Sequence, residues 1–256
     1  MRPRLALITL SLAACSLAPA PKPMTKTFEG QPGAAPARCL VVLLPGMGDR
    51  ASTFREEGFV ADIQGSGASV DIVAADATMG YYYRGVVVER IAADVLGPLR
   101  GRYEQVWMMG VSMGGFGSLH YAQQHADEVD AVAVFAPYLG SRRLSAEIRD
   151  AGGLAHWTPD PPATITKKNY QRQLWSWLHR VTSGAARGPT LYVGYGDDDR
   201  LARQDALLAA ALPQAHVFHA QGGHDWPVWR GLLQQFLQRS QFTTRCAPPR
   251  SPAPIE

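Results

Sequence analysis

The stretch QVWMMGVSMGGFG, residues 105–117, decides the expected fold of this chain. An apolar run suited to a buried strand leads into a helical segment, with Ser112 between Gly110 and Gly114 at the junction. The pattern Gly-x-Ser-x-Gly at such a junction is typical of a strained turn that exposes a serine hydroxyl at the carboxyl edge of a sheet. The glycines let the helix fold back closely on the strand. Ser112 is therefore a candidate nucleophile.

Apolar runs and helical segments alternate along most of the chain. Besides residues 105–111, five runs have the character of buried strands: 39–45, 69–76, 131–138, 189–196 and 215–221. Helical segments lie between or beside them at 52–64, 84–100, 114–126, 200–212 and 228–240. Strands separated by helices predict an α/β fold, with a mostly parallel sheet of about six strands and helices on both faces.

Residues 139–188 interrupt this alternation after the fourth core strand. Two helical segments flank a proline-rich loop there, which predicts a helical insertion. Insertions of this length are often lids or binding loops. We expect Trp175 and Trp177 to pack the insertion against the domain, whereas Trp157 is a candidate either for packing or for a binding pocket.

A serine nucleophile needs a general base, and the base needs a carboxylate that orients it. His224 lies in a Gly-Gly loop between the last strand and the last helix, which opens at the same sheet edge as Ser112. His224 is the predicted base, and capping of that helix is its alternative role. The sequence GDDDR follows the preceding strand, and the spacing from Gly196 favours Asp199 as the orienting carboxylate, with Asp197 as the alternative.

Two backbone N–H groups are needed to stabilise the oxyanion that forms during acyl transfer. One is predicted to come from Met113, directly after the nucleophile. The other is predicted to come from Met47, in the loop LPGMGD that follows the first core strand. A plain glycine turn is the alternative explanation of that loop.

These motifs resemble those of a known family. Residues 39–245 look like an α/β-hydrolase, and LPGMGD, GVSMGGFG and GGHDWPVW stand in the family's order. The last two are similar to motifs of esterase D-like and feruloyl-esterase-like serine esterases. The resemblance implies a serine carboxyl-ester hydrolase that forms an acyl-serine intermediate and uses Ser112, Asp199 and His224, without a metal or cofactor. The chain departs from the family in having Pro45-Gly46 where His-Gly is usual. Its first antiparallel strands are expected to be absent or shortened.

Other functions remain compatible with the same three residues. A thioesterase, a peptidase or an acyltransferase would use the same groups, since fold does not choose among them. A further alternative is an envelope lipoprotein that retains the fold without catalysis.

The expected partner is a small-molecule ester. Tyr81, Tyr82 and Tyr83 follow the second strand, and Tyr81 and Tyr82 are candidates for an apolar pocket together with Trp157. The alternative is that one or two of the tyrosines pack under the next helix.

The N-terminus has the character of a bacterial lipoprotein leader. Two arginines, a short apolar run and the sequence LAAC ending at Cys15 resemble a signal peptide with a lipidated cysteine. The expected organisation is a signal peptide at 1–14, a flexible tether at 15–37, the hydrolase domain at 38–245 and a loose tail at 246–256. Lipidation of Cys15 would place the protein in the cell envelope, at the outer membrane facing the periplasm.

Charge and cysteine content bound the remaining possibilities. Without Arg2 and Arg4 the chain has 23 basic and 22 acidic residues, a balance that does not favour a nucleic-acid partner. Two cysteines remain after Cys15. Outside the cytoplasm Cys39 and Cys246 could form a disulfide, but the sequence leaves their pairing open.

Overall fold

The structure, a computed structural model, describes residues 19–29 and 37–248. Its centre is a seven-stranded sheet in the order β1-β3-β2-β4-β5-β6-β7. The strands are β1 (Lys26–Glu29), β2 (Cys39–Leu44), β3 (Val70–Ala75), β4 (Gln105–Val111), β5 (Ala131–Phe135), β6 (Thr190–Gly196) and β7 (Val217–Ala220). The six strands from β2 to β7 run parallel, which confirms the predicted fold class.

The seventh strand corrects the expected tether at 15–37. β1 pairs antiparallel with β3, from Lys26 opposite Ala75 to Glu29 opposite Ile72. An edge strand of four residues is held by backbone hydrogen bonds on one side only. It therefore needs no long apolar run, and the sequence pattern does not reveal it.

The residues before β1 also pack against the domain. Met24 is buried, and its N–H donates to the Asp94 carboxylate at 2.8 Å. The Tyr81 hydroxyl donates to the Pro21 carbonyl at 2.6 Å, and the Thr78 hydroxyl donates to the Pro19 carbonyl at 3.0 Å. Residues 19–29 are therefore part of the folded domain. The expected signal peptide and Cys15 lie outside the described residues.

Ten α-helices surround the described part of the sheet. They are α1 (Thr53–Glu56), α2 (Phe59–Gln64), α3 (Met79–Arg84), α4 (Val87–Arg90), α5 (Met113–Gln124), α6 (Arg142–Asp150), α7 (Tyr170–Thr182), α8 (Ala202–Ala209), α9 (Trp226–Arg239) and α10 (Phe242–Arg245). Apolar side chains of β2 alternate between two cores, one on each face of the sheet. Phe116, Trp175 and Leu208 belong to one core, and Phe54 and Phe236 to the other.

Two predicted helices are interrupted. The segment 52–64 divides into α1 and α2 at Gly58, whose φ of 82° is unfavourable for residues with a side chain. The helix predicted at 84–100 is also divided. Arg84 is the last residue of α3, and the chain passes through Gly85 into α4. It then continues as a π-helix at Ile91–Leu96 and a 3-10 turn at Gly97–Leu99.

The insertion at 139–188 contains two helices, α6 and α7, as the sequence predicts. Trp157, Trp175 and Trp177 are all buried. The indole N–H of Trp175 donates to the Leu139 carbonyl at 2.7 Å, which fastens α7 to the first residue of the insertion.

A disulfide joins Cys39, the first residue of β2, to Cys246 after α10. Both cysteines are wholly buried, and the Ser69 N–H donates to the Cys246 carbonyl at 2.7 Å. The start of the expected loose tail at 246–256 is therefore part of the packed domain. Residues 249–256 lie outside the described part of the chain.

None of the helices in the described residues combines the length and the apolar character that crossing a membrane requires.

The disulfide closes a loop with a sequence separation of 207 residues. Replacing both cysteines by alanine should lower the free energy of unfolding by about 5 kcal/mol, because the unfolded chain regains the entropy that the crosslink removes. Denaturant unfolding under oxidising conditions measures this loss. Reduction should destabilise the wild type by a similar amount and leave the double variant unaffected. Equal unfolding midpoints for the oxidised wild type and the variant would contradict the prediction.

A buried carboxyl group predicts a pH dependence of stability. Asp205, on α8, is wholly buried, and its carboxylate oxygens have no hydrogen-bond partner among the described residues. Burial, and then the charge of Asp199, raises the pKa of Asp205 well above its usual value. The folded protein therefore binds a proton that the unfolded chain releases. This contribution to stability is lost as the pH rises above the unfolded pKa towards the folded one.

Asp205→Asn should remove this pH dependence, because the amide is neutral at every pH. The variant should match the wild type near pH 4 and become increasingly more stable towards about pH 7. Each kcal/mol by which the variant's free energy of unfolding exceeds that of the wild type corresponds to about 2–4 °C in Tm. Thermal unfolding at a series of pH values measures the difference. A Tm difference that does not grow with pH would show that Asp205 is not the group responsible.

Candidate active site

The backbone turns sharply at Ser112, between β4 and α5. Ser112 has φ 49° and ψ −115°, a combination that residues with a side chain rarely adopt. Its N–H donates to the Phe135 carbonyl at 3.0 Å, and its carbonyl accepts from the Tyr138 N–H at 2.9 Å. Hydrogen bonds on both sides of the residue thus hold the strained conformation.

The glycines beside Ser112 are required by close backbone contacts. A Cβ atom at Gly114 would lie 1.9 Å from the Leu44 carbonyl oxygen at the end of β2. A Cβ at Gly110 would lie 2.3 Å from the Gly114 carbonyl oxygen. The start of α5 therefore packs directly against the two neighbouring strands, and no larger residue fits at either position.

Three side chains from separate loops form one hydrogen-bonded chain. His224 Nε2 lies 2.8 Å from Ser112 Oγ. On the other side of the ring, His224 Nδ1 lies 2.7 Å and 2.9 Å from the two carboxylate oxygens of Asp199. The structure thus brings together the three residues that the sequence selects as nucleophile, base and orienting carboxylate.

The loops that carry Asp199 and His224 follow β6 and β7, whose carboxyl ends lie at the same edge of the sheet as that of β4. The Asp199 side chain is fully buried and also accepts from the Leu201 N–H at 2.8 Å, whereas 11% of the His224 side chain is exposed. The Trp229 ring packs edge-on against the imidazole at 4.9 Å. These contacts leave the imidazole little freedom to rotate.

The neighbouring carboxylates point elsewhere. Asp197 and Asp198 are exposed, and Asp197 accepts from the Gln221 amide at 2.7 Å. His219 lies 3.6 Å from Asp197 on the outer side of the loop. Of the three consecutive aspartates, only Asp199 contacts His224.

The two predicted oxyanion donors flank Ser112. Met113 is the first residue of α5, where an N–H has no acceptor within the helix. Met47 lies in the loop after β2, and its N–H has no backbone acceptor within the described chain. A Cβ at Gly46 would lie 3.6 Å from the Ser112 Cβ. The loop backbone therefore approaches the serine closely.

Asp49 connects this loop to the histidine loop, a link that the motifs do not reveal. Its carboxylate accepts from the Trp226 indole N–H at 3.4 Å. Burial raises the pKa of Asp49, and the hydrogen bond from Trp226 partly opposes that shift.

A cavity of about 1370 Å³ opens beside Ser112. Met47, Met113 and Tyr82 line it, which agrees with the pocket role considered for Tyr82. Tyr81 and Trp157 are buried and are not among its lining residues, which favours the packing role that the sequence also allowed for them. Tyr81 faces the core and bonds to the N-terminal segment, whereas the Trp157 indole donates to Glu147 at 3.0 Å within the insertion.

Sequence reasoning missed most of the cavity wall. Phe116, His120, Tyr138 and Tyr170 also line it. The spacing of Met113, Phe116 and His120 at three and four residues would place them on one face of a helix, and this is the signal that could have found them.

Within residues 19–29 and 37–248, no three His, Cys, Asp or Glu side chains are placed so that they could hold a metal ion.

Comparison with solved structures identifies similar folds. A ferulic acid esterase superposes with a TM-score of 0.51 at 20% identity, over 81% of this chain and 85% of that chain. An S-formylglutathione hydrolase from Staphylococcus aureus gives 0.55 at 14% identity, over 79% and 80% of the two chains. One from Agrobacterium tumefaciens gives 0.54 at 15% identity, over 88% and 90%. At these identities the likeness shows the α/β-hydrolase fold. No curated protein matches the chain.

The family comparison covers more than half of the sequence. The esterase family model, described as "Putative esterase", matches residues 81–239, which span the serine turn and both loops that complete the site. The chain therefore belongs to this esterase family and is a hydrolase of the α/β-hydrolase fold.

Proposed function

We propose that this esterase cleaves carboxylic esters through an acyl-serine intermediate, with Ser112 as nucleophile, His224 as general base and Asp199 as orienting carboxylate. The observation that carries the proposal is the continuous hydrogen-bonded chain from Ser112 Oγ through the imidazole to the Asp199 carboxylate. The buried Asp199 accepts from Nδ1–H, so Nε2 is free to accept the serine proton.

Acylation begins when Ser112 Oγ attacks the ester carbonyl carbon and its proton passes to His224 Nε2. The carbonyl oxygen becomes an oxyanion, which the N–H groups of Met47 and Met113 stabilise. The bond to the alcohol then breaks, and the proton on Nε2 passes to the departing oxygen. The acyl group remains on Ser112.

Deacylation repeats these steps with water. His224 Nε2 accepts a proton from the water as its oxygen attacks the acyl carbon, and the same two N–H groups stabilise the second oxyanion. Collapse of this intermediate breaks the bond to Ser112 Oγ, which regains its proton from the imidazolium. Every proton is thus carried by residues of this chain.

Ser112→Ala should lower kcat/KM for a p-nitrophenyl ester by at least about 10⁴-fold, because the nucleophile is lost. Asp199→Asn should lower kcat by about 10⁴-fold, because the amide no longer holds the reactive tautomer of the imidazole. Steady-state kinetics and labelling by a fluorophosphonate probe measure both effects. Circular dichroism should show that each variant remains folded.

The matched controls are Asp197→Asn and Ser183→Ala, since both side chains are exposed and neither contacts His224. Each control should keep its activity within a few-fold of the wild type. If Asp197→Asn were the more damaging aspartate variant, the assignment of Asp199 would be wrong. Probe labelling that survives in Ser112→Ala would remove Ser112 from its role.

We infer from the sequence that Cys15 is lipidated and that the enzyme is anchored to a membrane of the cell envelope. The described chain begins beside α3, where the Pro19 carbonyl accepts from Thr78. The chain advances by four residues from Cys15 to Pro19, and four residues can span at most about 14 Å. The position of the Pro19 carbonyl therefore supports an anchor close to the domain.

The full chain, made in a bacterium that processes lipoproteins, should fractionate with membranes and partition into detergent. Cys15→Ser should abolish both properties, because no acyl chain can then be attached at that position. Mass spectrometry of the mature N-terminus gives the decisive measurement. An unmodified terminus at another residue would contradict lipidation and leave the ester hydrolysis proposed above untouched.

A further inference from the structure

The cavity beside Ser112 extends as a groove along the length of α5. Met113, Phe116, His120 and Gln124 line it, and they lie on one face of the helix because they are spaced three or four residues apart. At 1.5 Å per residue, the groove follows α5 for about 18 Å from Ser112 to Gln124. It is therefore elongated, with the candidate nucleophile at one end.

The facing wall is formed by α4 and the π-helix that continues it. Val88 and Ala92 line the groove there, four residues apart, and the wall ends at Gly97 and Arg100. The side chains of Val88 and Ala92 are small and apolar. The wider turn of a π-helix is uncommon in proteins and is frequent at functional sites.

Aromatic rings form the remaining wall. Phe116 packs against Tyr138 at 6.1 Å, Tyr170 at 5.6 Å and Tyr82 at 6.1 Å between ring centroids. The Gln171 amide donates to the hydroxyls of Tyr138 and Tyr170 at 3.1 Å and 2.8 Å. The phenol oxygens of these two tyrosines are thereby satisfied, and their rings contribute apolar surface to the groove.

His120 lies in the groove between Phe116 and Tyr170 and adds little charge to it. Its ring stacks on Phe116 at 5.1 Å, and Nδ1 lies 3.1 Å from the Gln123 side-chain oxygen. Burial lowers the pKa of His120, so the ring is neutral at neutral pH. The side chains around His120 are therefore mainly apolar. Five charged residues also line the groove, and all are exposed: Arg84, Glu89, Arg100, Lys167 and Arg200. Arg100 and Gln124 mark its far end.

The position of the groove relative to His224 decides which half of an ester it can hold. The leaving alcohol must depart next to His224, which supplies its proton. No residue of the histidine loop or of the first turn of α9, together residues 222–229, is among the described residues that line the groove. The acyl half, which stays bonded to Ser112, is the half that points along α5.

We propose that the groove binds a long, unbranched acyl chain, so that the preferred substrates are esters of long-chain fatty acids. This proposal rests on the ester hydrolysis proposed above. The cavity volume of about 1370 Å³ exceeds the roughly 300–1,000 Å³ usual for small-molecule sites. Its elongated shape and the apolar and aromatic side chains along α5 fit an alkyl chain rather than a compact acyl group.

A series of p-nitrophenyl esters at fixed detergent concentration tests the chain length. In the wild type, kcat/KM should rise from acetate through octanoate to dodecanoate, since each buried methylene contributes at most about fourfold. The rise should level off by palmitate, because the chain end then reaches the polar end of the groove. A preference for acetate over dodecanoate would overturn the proposal while leaving ester hydrolysis intact.

Ala92→Phe should obstruct the groove and lower the ratio of kcat/KM for dodecanoate to that for acetate by at least tenfold. Ala206→Phe is the matched control, because Ala206 is exposed on α8 outside the groove, and it should keep the wild-type ratio. If Ala92→Phe does not fold, Val88→Phe places the same ring on the same wall. If both groove variants kept the wild-type ratio of kcat/KM for dodecanoate to that for acetate, the proposal that the acyl chain lies along α4 and the π-helix would be overturned.

Direct binding separates this proposal from the catalytic one. Ser112→Ala should bind a fluorescent long-chain fatty acid, measured by titration, and Ala92→Phe introduced into that background should weaken binding at least tenfold. Binding that persists undiminished would overturn the groove assignment. If the fluorophosphonate probe did not label the wild type, the proposed catalysis would be overturned, whatever the binding result.

Discussion

The strained turn at Ser112 is the constraint on which the rest of the site depends. A residue with a side chain at a φ of 49° costs of order 1–3 kcal/mol and persists only where its surroundings hold it. Here the backbone groups of Ser112 bond to the end of β5 and to the loop after it, and α5 packs on the end of β2 through Gly114. The central strands of the sheet thus support one unfavourable residue.

The parallel strands bring the loops that carry Asp199 and His224 to the turn at Ser112. Because β4, β6 and β7 run in the same direction, the loops after them emerge at one edge of the sheet. Asp199 and His224 lie 25 positions apart in the sequence, and Ser112 precedes His224 by 112 positions, yet they form one hydrogen-bonded chain. The loop containing Met47 reaches the same edge from β2, and Asp49 links it to the histidine loop through Trp226. The geometry of the site therefore depends on the sheet as much as on the motifs.

The fold and the three central residues could be predicted because strand runs, glycine loops and chain order all constrain the same edge. Most of the cavity wall could not be predicted. Tyr81 and Tyr82 are adjacent, and the rotation of about 100° between helical neighbours sends Tyr81 into the core and Tyr82 towards the cavity. The phase of α3 is set by tertiary packing, which includes the bond from Tyr81 to Pro21. The resemblance allowed for a shortened antiparallel strand, but the sequence pattern does not place β1, because its pairing uses backbone groups.

The disulfide between Cys39 and Cys246 turns the domain into a covalent ring. Ser112, Asp199 and His224 all lie on that ring, and so does the insertion at 139–188. A single proteolytic cut in the exposed loop at 161–164 would therefore release no fragment. The two pieces would migrate as one species until a reductant separated them. A nicked enzyme would thus keep both parts of its site attached.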